Sequence, residues 1–199
     1  MELIFATNNQ HKAEEVQAAI GNRIHIRTLK QAGIEIDIPE PYDTLEANAR
    51  EKSKTIHALT QKDCFSEDTG LEVAALNGEP GVKSARYAGN EKHFQKNIEK
   101  LLERMKMQEN RKARFRTVIS LIWKKQEYQF EGICEGRIIK EERGSKGFGY
   151  DPVFLPDGSE KTFAEMDIKE KNRFSHRKKA TDKLVSFLQN LNRQESYFE

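Results

Sequence analysis

Cysteine is scarce: Cys64 and Cys134 are the only two in 199 residues, too few for a disulfide framework or a four-cysteine zinc site and suited to a reducing compartment. No stretch approaches the roughly 20 apolar residues of a membrane span. The opening Met1-Glu2-Leu3-Ile4-Phe5-Ala6 has neither a basic n-region nor an apolar run long enough for a signal peptide. An excess of one charge is also missing, because 34 Lys and Arg against 32 Asp and Glu leave a formal net charge of +2. The whole-molecule field is therefore not that of a general polyanion binder, and any anion site must be local. Repeats, low-complexity segments and Pro/Gly/Ser linkers are absent too. What is present is a chain with 33% charged residues and 11 phenylalanines, too rich in regular apolar runs for disorder. The expectation is a cytoplasmic protein with no membrane contact, one domain over residues 1–199 and a flexible tail from 193 to 199.

The apolar run Leu3 to Ala6 reads as a buried strand that meets the capping residues Thr7-Asn8-Asn9, after which Ala13, Val16 and Ile20 fall on one helical face. Ile24 to Leu29 and Ile34 to Ile38 alternate with period two and predict strands, the second with one wet face. A proline-flanked loop, Pro39 to Tyr42, leads to a long helix capped by Asp43 or Thr44, with Leu45, Ala49, Ile56 and Leu59 as its stripe. Cys64-Phe65 predicts a short strand running into an acidic loop, Ser66-Glu67-Asp68-Thr69-Gly70. Further on come an amphipathic helix through Phe94, Ile98, Leu101, Leu102 and Met105, and a hairpin of Phe115–Trp123 with Tyr128–Ile139 turning near Lys124-Lys125-Gln126. The glycine loop Gly144 to Gly149 precedes a strand at Val153–Leu155, and a last helix carries Ala180, Leu184, Phe187, Leu188 and Leu191 behind Ser175. Strands alternating with helices, plus a hairpin, give an α/β fold with a mixed sheet.

Some residues break these patterns. Lys52 occupies the inward position of the stripe between Ala49 and Ile56; it either snorkels its head to water or aims an ammonium at a bound anion. In the second case the protein without ligand would hold a desolvated cation lacking its partner, so Lys52→Met would preserve or raise stability. The carboxylates Glu67 and Asp68, with Glu40 upstream, either solvate a turn or bind a hard cation through oxygen. Arg177-Lys178-Lys179 oppose the dipole of the final helix, so something negative should compensate them, either solvent or an anionic ligand on the helix start. His176 beside them is either a satisfied surface histidine or a hydrogen-bond donor to a ligand. Gly147-Phe148-Gly149 would expose the faces of Phe148, which either fills a turn or stacks on a planar base. The loop fits neither a dinucleotide fingerprint nor a P-loop in spacing or context.

Taken in order, Thr7-Asn8-Asn9-Gln10-His11-Lys12, Ser66 to Gly70, Gly81-Val82-Lys83-Ser84-Ala85-Arg86-Tyr87, Gly147-Phe148-Gly149-Tyr150-Asp151-Pro152 and Ser175-His176-Arg177 make a set that resembles the inosine triphosphate pyrophosphatase family, the noncanonical purine NTP pyrophosphatases, over residues 3 to 190. The resemblance implies an elongated central mixed sheet flanked by helices, two lobes enclosing an active-site cleft, a homodimer, and Mg²⁺-dependent hydrolysis of ITP, dITP and XTP to monophosphate and pyrophosphate. Carried over by position, Thr7, Asn8, Asn9, Gln10, His11 and Lys12 form the triphosphate loop, and Lys52 is a phosphate contact. Asp68 is the catalytic, metal-binding residue that activates water, Glu40 is a second metal carboxylate and Glu67 a further one. Thr69 touches substrate, while Phe148, Gly149, Tyr150, Asp151, Lys171, His176 and Arg177 line the base pocket. Asn8 stands where a glycine is common in the family, and Glu67 where many members have Asp.

These roles agree with the chemistry, since a triphosphate needs local cations and transfer to water needs charge neutralisation more than a nucleophilic side chain. Donors facing the purine 6-oxygen would reject a 6-amino group by leaving buried polar atoms unpaired. Two other classes make different demands. A non-catalytic purine-nucleotide-binding regulator could keep Lys12, Lys52 and the aromatic platform yet dispense with Asp68. A nucleic-acid binder would use Arg111, Lys112, Arg114, Arg116 and the Arg177 to Lys179 cluster, against which the near-neutral charge weighs, so no nucleic-acid partner is expected.

Overall fold

The computed structural model describes residues 2–22 and 24–195, with side chains as far as residue 191. Chain order is β1 (Glu2–Phe5), α1 (Gln10–Ile20), β2 (His25–Thr28), α2 (Leu45–Thr60), β3 (Cys64–Val73), β4 (Pro80–Gly81), α3 (Phe94–Arg104), β5 (Lys112–Trp123), β6 (Gln126–Ile138), β7 (Phe154–Pro156), α4 (Ile168–Lys171) and α5 (His176–Glu195), with short 3₁₀ turns between. Among the described residues the strands form one mixed sheet in the order β2-β1-β3-β5-β6-β7, with β4 paired to β3 off that path. β1 runs parallel to β2 and β3, and β7 antiparallel to β6. The α/β fold expected from the sequence is therefore the observed one. No helix among the described residues is long and apolar enough to cross a membrane.

The chain divides into two compact units, one of residues 1–68, 117–132 and 177–199, the other of 69–116 and 133–176. β3, β5 and β6 each begin in one unit and end in the other. The first unit's core packs Leu3, Phe5, Val16 and Ile20 with Phe65, Ile119, Leu184 and Leu188. Phe5 and Phe65 are register partners in β1 and β3, and their rings stack 4.5 Å apart. α2 starts where Thr44 caps it, the hydroxyl accepting from the Ala47 N–H at 3.2 Å. Its buried side is stitched down by polar contacts: Ser66 Oγ donates to the Ala49 carbonyl at 2.5 Å and Ser53 Oγ meets Ser120 Oγ at 2.8 Å. The second unit's core gathers Leu71, Ile98, Leu101, Phe115, Tyr150, Phe154 and Phe163.

Four local expectations are corrected. Ile34 to Ile38 is an extended segment outside the sheet, whose isoleucines lie half-buried on a small cluster around Leu29 and Ile56 while Glu35 and Asp37 face out. Extended chain alternates its side chains with or without a paired neighbour, so the pattern was real and the strand was not. Leu59 is 59% exposed, and the inner face of α2 is completed by Asn48, Lys52 and Ser53 instead. Ser66 to Gly70 is no loop but the middle of β3. Gly70 is needed there because a Cβ would stand 2.6 Å from the Gly81 carbonyl oxygen of paired β4. Finally, residues 193–195 close α5, while the rest of the expected tail, 196–199, lies outside the described residues. The hairpin turns as predicted, with Lys124 and Lys125 both at positive φ (50° and 67°), as a tight two-residue turn requires.

Candidate active site

Because β3 is extended at Glu67 and Asp68, their side chains point to opposite faces of the strand. Each meets a different set of cations. Glu67 is held by two of them: Arg177 Nε donates to Oε2 at 2.7 Å and Nη2 to Oε1 at 3.2 Å, and Lys12 Nζ lies 2.9 Å from Oε1. The same guanidinium reaches Glu15 of α1 through Nη1. Burial alone would raise the Glu67 carboxyl, yet Arg177 and Lys12 hold it well below the usual carboxylate range. Burial likewise disfavours the Arg177 charge, and Glu67 and Glu15 keep it charged above its ordinary value.

Asp68 faces Lys52 and Glu40. Lys52 Nζ lies 2.5 Å from Glu40 Oε1 and 3.2 Å from Asp68 Oδ1. Its side chain is only 8% exposed, so the inward lysine of the α2 stripe is a buried cation and not a snorkelling one. Burial opposes its charge, but Asp68 and Glu40 more than offset this and raise its pKa. Burial pushes the Asp68 carboxyl up against the pull of Lys52 and Lys12. Its second oxygen, Oδ2, is buried and makes no hydrogen bond among the described residues. A buried carboxylate oxygen without a donor is the kind of lone pair that a hard cation or a water would satisfy.

That orphaned oxygen is the observation by which a divalent cation can be judged to fit, with Asp68 and Glu40 as the carboxylates on hand. Glu67 does not fit: both of its oxygens are occupied by charged donors, and it faces away from Asp68. The described residues accordingly contain no ready cluster of three acidic, His or Cys groups for a metal.

The Thr7 to Lys12 segment joins β1 to α1. Thr7 Oγ1 accepts from the Asn9 N–H at 3.1 Å, and Asn9 Oδ1 caps α1 by accepting from the Lys12 N–H at 3.2 Å. Asn8 Nδ2 donates to the Ile36 carbonyl at 3.0 Å, while Gln10 and His11 are exposed. A cavity of about 510 Å³ opens beside this loop, lined by Thr7 to Gln10, Thr28, Lys30 and the Ile34–Asp37 segment. Lys12 reaches the carboxylate cluster through Glu67.

In the second unit the glycine loop is braced by one carboxylate. Asp151 Oδ2 accepts from the Phe148 N–H at 3.0 Å and from Lys171 Nζ at 2.6 Å. Gly147, at φ +73°, is required because a Cβ there would lie 2.1 Å from that oxygen. Lys171 Nζ sits 5.4 Å from the centre of the half-buried Phe148 ring and 5.0 Å from that of Phe163. Gly149 also has positive φ, and Tyr150 is buried, its hydroxyl donating to the Ser84 carbonyl at 2.8 Å. His176 lies flat on Phe115, ring centres 4.7 Å apart and planes 14° apart. Thr69 is half-buried next to Asp68 along β3.

Arg177 sits inside the first unit's charge cluster. It is 2% exposed and its guanidinium pairs with Glu67 and Glu15 in the first unit. The charges that oppose the α5 dipole are thus answered from within, with Lys178 paired to Asp182 as well. Glu15 was missed, although a signal existed: it sits four residues before Ala19 on the side of α1 that carries Val16. Three of the arginines named above for a nucleic-acid surface have partners within the fold. Arg111 donates to the Ile138, Met105 and Ile139 carbonyls, and Arg114 and Arg116 pair with Glu72.

The Ham1 family model matches residues 3–187. The dITP/XTP pyrophosphatase of Christiangramia forsetii is 48% identical over 188 residues, 94% of this chain and 99% of that protein. That of Porphyromonas gingivalis is 48% identical over 188 residues, 94% and 97%. Among solved structures, the Staphylococcus aureus Ham1 protein superposes with a TM-score of 0.86 at 37% identity, covering 96% of this chain and 99% of that one. A Ham1 protein from Coxiella burnetii gives 0.87 at 34%, with coverage of 96% and 99%. Likeness of this depth, running nearly end to end in sequence and in fold alike, makes this chain a member of the Ham1 family.

Proposed function

We propose that this chain is a single-domain nucleoside triphosphate pyrophosphatase that cleaves ITP, dITP and XTP between the α and β phosphates, releasing the monophosphate and pyrophosphate and clearing such nucleotides from the cytoplasmic pool. The names carried by its relatives, dITP/XTP pyrophosphatases, support the substrate class. The observation that carries the chemistry is the buried, unpaired Asp68 Oδ2 beside the Lys52 ammonium. In this reading Asp68 takes a proton from the attacking water, and Lys52 and Lys12 face the charge of the triphosphate. Mg²⁺, held by Asp68 and Glu40, would neutralise phosphate charge and stabilise the leaving pyrophosphate. Thr7 to Lys12 supply the remaining phosphate contacts, and Thr69 touches the substrate. Phe148 stacks on the purine, while Gly149, Tyr150, Asp151, Lys171 and His176 frame its edge. The working form is a homodimer.

The alternative of a non-catalytic nucleotide-binding regulator is given up: the relatives are named as pyrophosphatases, and a regulator has no use for a bare carboxylate oxygen beside a buried lysine. The deciding experiment follows pyrophosphate release from ITP with Mg²⁺ for the wild type and Asp68→Asn. The expected result is a folded variant with nearly all turnover gone, since an amide neither holds the cation nor accepts the proton. Substantial turnover by well-folded Asp68→Asn would remove Asp68 from the chemistry.

A further inference from the structure

The stripe that anchors α3 runs through Asn97, Ile98 and Leu101, all buried, and its first member is Phe94. One turn before Ile98, this ring passes beyond the core and stays 38% exposed. It is not idle there: its centre lies 6.0 Å from that of Phe148, with the planes 47° apart. The tilt matters, because a ring lying flat on Phe148 would cover a face that a base could use, whereas a tilted one supports the ring from the side. A second tie joins the same two segments, since Gln95 Nε2 donates to Glu142 Oε1 at 2.8 Å, just ahead of the glycine loop. Phe148 itself stands between two glycines at positive φ, residues that allow its exposure but do nothing to hold the ring still.

We propose that Phe94 is a positioning residue for the purine: it braces Phe148 in the orientation that stacks on the base, so that α3, which supplies no other residue to the site, sets how well the platform works. The inference rests on the reading of Phe148 as that platform. It follows that Phe94 contributes to binding of the base and not of the phosphates, and that it acts only through Phe148.

The test measures KM and kcat for ITP, and affinity for inosine monophosphate and for pyrophosphate separately, in Phe94→Ala, Phe94→Tyr, Phe148→Ala and the Phe94→Ala/Phe148→Ala pair, with melting temperature alongside. Phe94→Ala is expected to raise KM by about two- to tenfold, the worth of an aromatic pair, with kcat within about twofold on the same reasoning. Binding of inosine monophosphate should weaken in step, pyrophosphate binding should hold, and Phe94→Tyr should restore the wild-type KM. In the double variant the Phe94 change should add nothing to the Phe148 change, the non-additivity of two groups acting as one. A raised KM for Phe148→Ala with a normal KM for Phe94→Ala would overturn the brace while leaving the platform standing. Normal KM for both would overturn the platform reading and the brace with it. Additive effects, or equal weakening of pyrophosphate, would overturn the brace in favour of direct contact or a general loss of structure.

Discussion

Lys52→Met is the most informative single change. Methionine keeps most of the stem's packing and removes the ammonium. On sequence alone, a lysine aimed at an absent anion would be better off as a methionine, and the unliganded protein would gain or hold stability. The structure reverses that expectation, because Lys52 already pairs with Asp68 and Glu40. Without it Asp68 is a carboxylate 6% exposed, with one oxygen already unpaired and the other now bare. Leaving one partner of a buried pair uncompensated typically destabilises by about 3–5 kcal/mol. The aspartate can instead take up a proton, which for a carboxyl of ordinary value 3.8 costs about 4 kcal/mol at pH 7, and that figure is a ceiling. A loss of about 2–4 kcal/mol follows, or a fall in Tm on the order of 5–15 °C for a chain of this size. The sign with pH is fixed: an acid whose folded pKa is raised contributes most stability at low pH and loses it as pH rises above its unfolded value. The deficit should therefore be large at pH 7 and small at pH 5. Catalysis should fall roughly ten- to a hundredfold in kcat/KM with the lost phosphate contact. Differential scanning fluorimetry of nucleotide-free protein at the two pH values, beside kcat/KM for ITP, makes the measurement. A Lys52→Met protein as stable as wild type at pH 7, or with a deficit that does not shrink at pH 5, would refute the argument.

Glu67→Gln should destabilise by about 3–5 kcal/mol at pH 7, since the buried Arg177 then loses the charge of its β3 partner. Because the folded pKa of Glu67 lies below its ordinary 4.5, its contribution is present above that value and is lost as pH falls, so urea titrations should show the wild type and variant converging below pH 4.5; a constant gap would mean that Glu67 is not ionised. Burial pushes the Cys64 thiol up to about 12 and Cys134 is buried too, so a thiol reagent at pH 8 should label neither in the native protein and both in denaturant; prompt native labelling would contradict the packing.

How far the sequence could be read follows from the range of each signal. Lys52 was legible because helical spacing is local: one charged residue in an apolar stripe marks itself. The glycines around Phe148 were legible for the same reason, since positive φ is a property of the residue. β3 was cut short because Glu67 and Asp68 look like loop residues until their partners are known, and those partners, Lys12, Lys52 and Arg177, come from three different helices. No periodicity connects Glu67 to Arg177. The ion pair of Arg177 was hidden for the same reason, since its side chain answers a carboxylate 110 residues away.

That separation bears on how the molecule comes into being. Arg177 joins Glu67 across 110 residues and Glu15 across 162, and the unit they share is assembled from three stretches of chain, the last beginning at residue 177. A chain emerging from the ribosome has made both carboxylates long before it makes their cation. Until α5 arrives, closing α1 onto β3 would bury Glu15 and Glu67 with Lys12 on Glu67 and without the guanidinium that bridges them, at a cost in desolvation or in proton uptake. The Glu67–Arg177–Glu15 cluster behind Asp68 is therefore completed only once synthesis has passed α5, through contacts of the kind that slow folding. A truncated product lacking the last helix should be inert and unfolded in its first unit, and not a weakened version of the whole.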